Sequence, residues 1–154
     1  MSYTNAIGIK KLRTTNQTLT TSYVQLAETA AGTLPANKAV LTKYTDQLGI
    51  FLTYTADAGA TTPNLFVRVD FGLDGVDANT PPTTWYQETI QDSYASGDST
   101  LLFRDYKFAG SVGVPLTVPI FVPTTAVWAR VMVKETLGAG SAGVITGSVT
   151  CGEI

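Results

Sequence analysis

Histidine is absent from this 154-residue chain, and cysteine occurs once, at Cys151. Imidazole and thiolate are the side chains that change protonation near neutral pH, and most acid–base and nucleophilic catalysis uses one of them. Without histidine there is no Ser-His-Asp or Cys-His machinery and no His-based zinc site. One cysteine closes no intrachain disulfide and builds no Cys-rich metal site. Charge is scarce as well: charged residues make up 14% of the chain and the formal net charge is −2. That balance provides no electrostatic footprint for nucleic acid or an anionic membrane. No segment approaches the roughly 18 apolar residues of a membrane span. The start of the chain has no apolar run behind basic residues of the kind that marks a signal peptide. These absences predict a non-enzymatic protein with no cofactor, made in a cytoplasm without a signal peptide, with neither nucleic acid nor membrane as its partner.

What is present is β-structure. Threonine occurs 25 times; it is β-branched, favours strands, and keeps a sheet surface wet without charge. Leu48, Ile50, Leu52 and Tyr54 occupy alternate positions, with Thr53 and Thr55 on the other face. Leu65, Val67, Val69 and Phe71 repeat the pattern with Arg68 and Asp70 outward. Val127, Ala129, Val131 and Val133 do so again, with Trp128, Arg130, Met132 and Lys134 opposite. A period of two is the mark of half-buried strands. Segments 19–27, 38–44, 84–90, 99–108, 115–122 and 143–151 are further candidates. Gly, Pro, Asn and Asp clusters at 58–64, 72–77, 80–82, 96–98 and 138–143 supply the turns. Pro115, Pro119 and Pro123 remove ladder donors, which makes that segment an edge strand or a bulged one. The expected fold is all-β: a single β-sandwich, Greek-key or jelly-roll, of about eight or nine strands. Residues 1–17 read as an extended N-terminal arm, and 18–154 as the sandwich domain.

The chemistry-bearing residues are few. Gly110-Ser111-Val112-Gly113-Val114 lacks the spacing of a dinucleotide fingerprint, and the glycines from Gly138 to Gly143 lack the lysine of a phosphate loop. Asp70, Asp74, Asp77 and Asn79 fall close together, but not with the spacing of a calcium loop. Glu88, Asp92, Asp98 and Asp105 could in principle supply a glycosidase pair, but a small sandwich offers them little cleft. Aromatic, arginine and methionine residues are the types enriched at interfaces. Trp128, Arg130 and Met132 on one strand face, with Ile7, Ile9, Lys10, Lys11 and Arg13 in the arm, are therefore the candidate subunit or partner interface. Trp85, Tyr86 and Tyr94 are an alternative stacking platform for a sugar ring or receptor.

The arm, the Thr20-Thr21-Ser22-Tyr23 entry to the first sandwich strand, the hairpin from Val122-Pro123 to Ala129-Arg130-Val131, and the Gly-rich turn before the last strand form a recognisable plan. It resembles the capsid decoration, or cement, proteins of tailed phages and related virion β-sandwich proteins. The resemblance covers most of the chain and rests on architecture. It implies a virion structural protein on the capsid exterior, with the major capsid protein or another virion protein as partner, assembled as a homo-oligomer with a trimer favoured. A carbohydrate- or receptor-binding fibre tip and a shell-forming jelly-roll capsid subunit are the alternatives.

Overall fold

Period-two patterning becomes strand wherever it occurs at length. The computed structural model describes residues 8–27, 39–42, 46–74, 82–91, 101–124 and 126–152. The strands in chain order are β1 (Gly8–Thr18), β2 (Val24–Gln25), β3 (Val40–Leu41), β4 (Gln47–Thr55), β5 (Asn64–Gly72), β6 (Tyr86–Gln87), β7 (Thr89–Gln91), β8 (Leu101–Phe103), β9 (Tyr106–Ala109), β10 (Leu116–Pro123), β11 (Trp128–Thr136) and β12 (Val144–Gly152). No helix occurs among the described residues. Every strand pairing is antiparallel.

A front sheet runs β1-β12-β4-β10, and a back sheet runs β2-β11-β5-β6, with β3 also on β11 and β9 also on β5. The short pieces combine. β2 meets Met132 and Val133 while β3 meets Trp128 and Ala129, so both lie along one side of β11 as a single interrupted strand. β6 meets Asp70 and Phe71 while β9 meets Asn64 to Val67, so both lie along one side of β5. The β7–β8 hairpin is an excursion from that second strand, closed at its base where Arg104 N–H donates to the Glu88 carbonyl at 2.8 Å. With each interrupted strand counted once, the front sheet reads 1-8-3-6 and the back sheet 2-7-4-5. This order, alternating between two packed antiparallel sheets, is a jelly roll.

The core lies between the sheets. Leu48, Ile50, Leu52 and Tyr54 face Leu65, Val67, Val69, Ala129, Val131 and Val133, each no more than 1% exposed. Burial of each such side chain stabilises the fold by roughly 1.5–3 kcal/mol. The front sheet ends at β10, as its prolines require, and Thr117, Pro119, Phe121 and Pro123 all face solvent. The Gly110–Val114 stretch is a tight turn in which Val114 N–H approaches the Ser111 carbonyl and Gly113 takes φ +70°.

Residues 1–7 of the arm lie outside the described residues. Its described part, from residue 8 onward, is β1, which pairs with β12 from Gly8↔Cys151 to Thr18↔Val144 and forms the other edge of the front sheet. The register breaks twice, between Lys11 and Arg13 and between Arg13 and Gln17. Those irregularities blur the alternation in sequence, and they place Leu12 in the core at 2% exposure. The described part of the arm thus belongs to the sandwich.

Candidate functional site

The outer face of the back sheet carries Trp128, Arg130, Met132 and Lys134 from β11 beside Phe66, Arg68 and Asp70 from β5, held opposite one another by register. Most of this face is used within the chain. Trp128 is 1% exposed and Met132 9%. The Arg130 guanidinium stacks 4.4 Å from the Trp85 ring centroid and donates to Asp70 Oδ2 through Nε at 2.9 Å, with Nη2 at 2.8 Å from the same oxygen. Arg68 Nε sits 3.2 Å from the other Asp70 oxygen. Asp70 is therefore a buried carboxylate clamped by two guanidiniums. Tyr23 donates its hydroxyl to Asp105 at 2.7 Å. Burial pushes that hydroxyl well above the usual tyrosine range, and the Asp105 hydrogen bond and charge add to the rise.

The remaining acids are similarly engaged. Glu88 accepts from the Tyr106 hydroxyl at 3.0 Å and lies 3.8 Å from Arg104 Nε. Burial raises its carboxyl pKa against the opposing pull of Tyr106 and Arg104. Asp74 accepts from the Thr83 hydroxyl and backbone and from Thr84 N–H, and the Thr83 bonds lower its pKa. Asp57 accepts from Gly59 and Ser141 N–H, joining two loops. Asp77, Asn79, Asp92 and Asp98 lie outside the described residues. Among the described residues no three His, Cys, Asp or Glu side chains are grouped to hold a metal.

The front sheet's outer face is open. A shallow groove of about 350 Å³ runs across it, lined by Lys11, Phe51, Thr53, Thr117, Thr146 and Ser148 among others. Phe121, 57% exposed, meets Phe51 edge to face with centroids 5.8 Å apart. Lys11 is exposed at the groove. Arg13 also borders it, but its guanidinium donates to the carbonyls of Thr15, Asn16 and Ala27 at 2.8, 3.3 and 3.2 Å, which ties it to the chain's own backbone.

The predicted interface residues are thus divided between opposite faces. Lys11 and Arg13 are on the front, and Trp128, Arg130 and Met132 are on the back. Ile9 and Lys10 lie in β1, with side chains outside the described set, as are Ile7 and Tyr94. Of the proposed stacking platform, Tyr86 is 55% exposed, while Trp85 is half-buried under Arg130. Its neighbour in sequence therefore points to solvent while Trp85 itself serves as a cap.

Two features were not anticipated. Phe51 and Phe121 were assigned no role, although Phe121 sits at an outward position between two prolines. Glu135, 1% exposed, accepts from the Tyr54 hydroxyl and from Gly143 N–H at 2.7 Å. Extending the inward series Ala129, Val131, Val133 by two residues reaches Glu135, so its burial was legible; its partners, from β4 and a distant turn, were not. No protein-family model matches the chain, and no curated protein is significantly similar to it.

Proposed function

We propose that this chain is a non-enzymatic structural protein of a virion, a jelly-roll subunit that attaches to the outside of a capsid as an oligomer. The observation that carries the reading is the open front face, with Phe121 and Phe51 packed edge to face beside Thr53, Thr117, Thr146 and Ser148 and the exposed Lys11 at its side. Aromatic anchors on a shallow, hydroxyl-rich surface with little charge suit docking against another folded surface more than chemistry on a small molecule. The jelly-roll order is one that capsid domains use. Multivalent attachment of an oligomer to a repeating shell gives avidity without strong single contacts.

The front face replaces the Trp128 strand as the proposed shell contact, because Trp128 and Met132 are covered by their own chain. Lys11, exposed at this face, keeps its place in the proposed interface. The carbohydrate or receptor reading draws less support, since Arg130 lies on the Trp85 ring that a sugar would need. The shell-forming reading shares the jelly-roll order, and assembly of the purified chain into closed particles would favour it.

Native mass spectrometry of the purified chain with and without candidate capsid shells tests the proposal. Wild type is expected to bind intact shells in multiple copies. Phe121→Asp is expected to fold and to lose at least about 10-fold in affinity, the scale of a hot-spot aromatic. Equal shell binding by wild type and Phe121→Asp would remove the front face from the contact.

A further inference from the structure

Across the back sheet, rings and cations interleave. Arg68 lies 4.6 Å from the Tyr23 ring centroid, and Lys134 Nζ lies 4.6 Å from the same ring. Lys134 is also 5.1 Å from the Phe66 ring, and Lys107 approaches that ring at 5.7 Å. Register fixes the row, because Phe66 is paired with Lys134 on β11 and with Lys107 on β9. Arg68 and Arg130 share Asp70, and Asp105 is bound to Tyr23. Lys107 and Lys134 form no salt bridge among the described residues. Among the described residues this face therefore holds four basic residues against two acidic ones, on a chain whose formal net charge is −2.

The row lies near the end of the sandwich where β5 begins. At the opposite end, where β4 begins and β5 finishes, Asp46 and Asp74 are exposed. Asp74 accepts hydrogen bonds from the Thr83 hydroxyl and backbone, which lower its carboxyl pKa further below neutrality. Among the described residues, one outer face thus carries an excess of positive charge, and two exposed carboxylates lie at the far end.

We infer that Lys107 and Lys134, either side of Phe66, form a subunit contact that receives the Asp46 and Asp74 end of a second copy of this chain. Charge complementarity selects that occupant. Both rings are already approached by two cations, which leaves little ring face on which a sugar could stack, whereas the ammonium groups of exposed Lys107 and half-buried Lys134, lying over those rings, suit carboxylates on a folded surface. Two different patches meet, so the contact is heterologous and repeats around a closed ring or along a filament. It names the subunit contact of the oligomer proposed above, and it fails separately from shell attachment because its test uses the chain alone.

Sedimentation equilibrium of the purified chain at low and high salt reads the contact. Wild type should self-associate, and the association should weaken steeply as salt is raised. The Lys107→Glu/Lys134→Glu variant and the Asp46→Lys/Asp74→Lys variant should each weaken it at least 10-fold. An equimolar mixture of the two, or all four changes in one chain, should restore it. A wild-type chain that stays monomeric would overturn the inference. So would association indifferent to salt and to both variants, or two defective variants that do not rescue each other. If a sulfated polysaccharide such as heparin, and not a second copy, proved to be what the lysine pair binds, that too would overturn it.

Discussion

Tyr54 and Glu135 meet in the buried interior of the sandwich, where the carboxylate accepts a hydrogen bond from the Tyr54 hydroxyl on one oxygen and from the Gly143 N–H on the other. Removal of a donor from a buried acceptor costs more than the bond itself is worth, because the acceptor loses water as well. Tyr54→Phe should therefore lower unfolding free energy by about 1–3 kcal/mol in denaturant titrations. Gly143→Ala should be comparably harmful, since a Cβ there would lie 2.6 Å from the Thr55 carbonyl oxygen and 2.9 Å from Glu135 Oε1; overpacking of this kind costs about 1–3 kcal/mol. The same site predicts alkaline behaviour. Burial and the bond to Glu135 hold the Tyr54 proton well past the pH of about 10 at which an unfolded tyrosine loses it. The folded state then retains a proton that the unfolded chain releases. Stability from this source is complete below about pH 10 and declines as pH rises beyond it. Tyr23 and Tyr106, also raised chiefly by burial, act in the same direction. Stability measured from pH 9 to 12 should fall, and it should fall less steeply in Tyr54→Phe.

Among the elements, the two front-sheet edges are protected by different means. β10 pairs with β4 over its whole length although Pro119 and Pro123 have no N–H. Residues four apart direct their backbone groups the same way, so the missing donors belong to the free edge. Replacing Pro115, Pro119 and Pro123 with threonine should restore an open edge. The expected outcome is a native fold with increased concentration-dependent aggregation, read by light scattering; unchanged solubility would show that the prolines do not guard it. β1 instead relies on its two register breaks and on Arg13, whose guanidinium occupies three backbone carbonyls. The prolines of β10 were readable as an edge signal because proline's missing donor is a property of the residue. The strand character of 8–18 was masked by its bulges, which destroy the period-two signal while leaving the pairing intact.

For the whole molecule, the missing histidines carry a further expectation. No side chain has an unperturbed pKa between about 6 and 8 except a shifted cysteine. Self-association and shell binding should therefore vary little across that window; a steep change, followed by sedimentation at constant ionic strength, would contradict the proposed contacts. The two outer faces divide the work. The front face is shallow, hydroxyl-rich and open, while the back face is filled by its own rings and guanidiniums, with Lys107 and Lys134 lying over Phe66.

The sequence by itself determined which side chains turn inward along each long strand, where an edge must fall, and that acid–base chemistry has few groups to work with. Each of these follows from local rules: side chains alternate every residue, proline lacks its donor, and an absent residue type is absent everywhere. Only the tertiary structure decided that 24–25 and 40–41 are one interrupted strand, that 86–87 and 106–109 are another, and that the Trp128 face is capped by Trp85. It alone interleaved Tyr23, Lys134, Phe66 and Lys107. Those outcomes depend on pairing between residues far apart in the chain. Alternation states that a strand has two faces; which face is covered, and by what, is settled only when the sheets pack and the intervening segments fold across them.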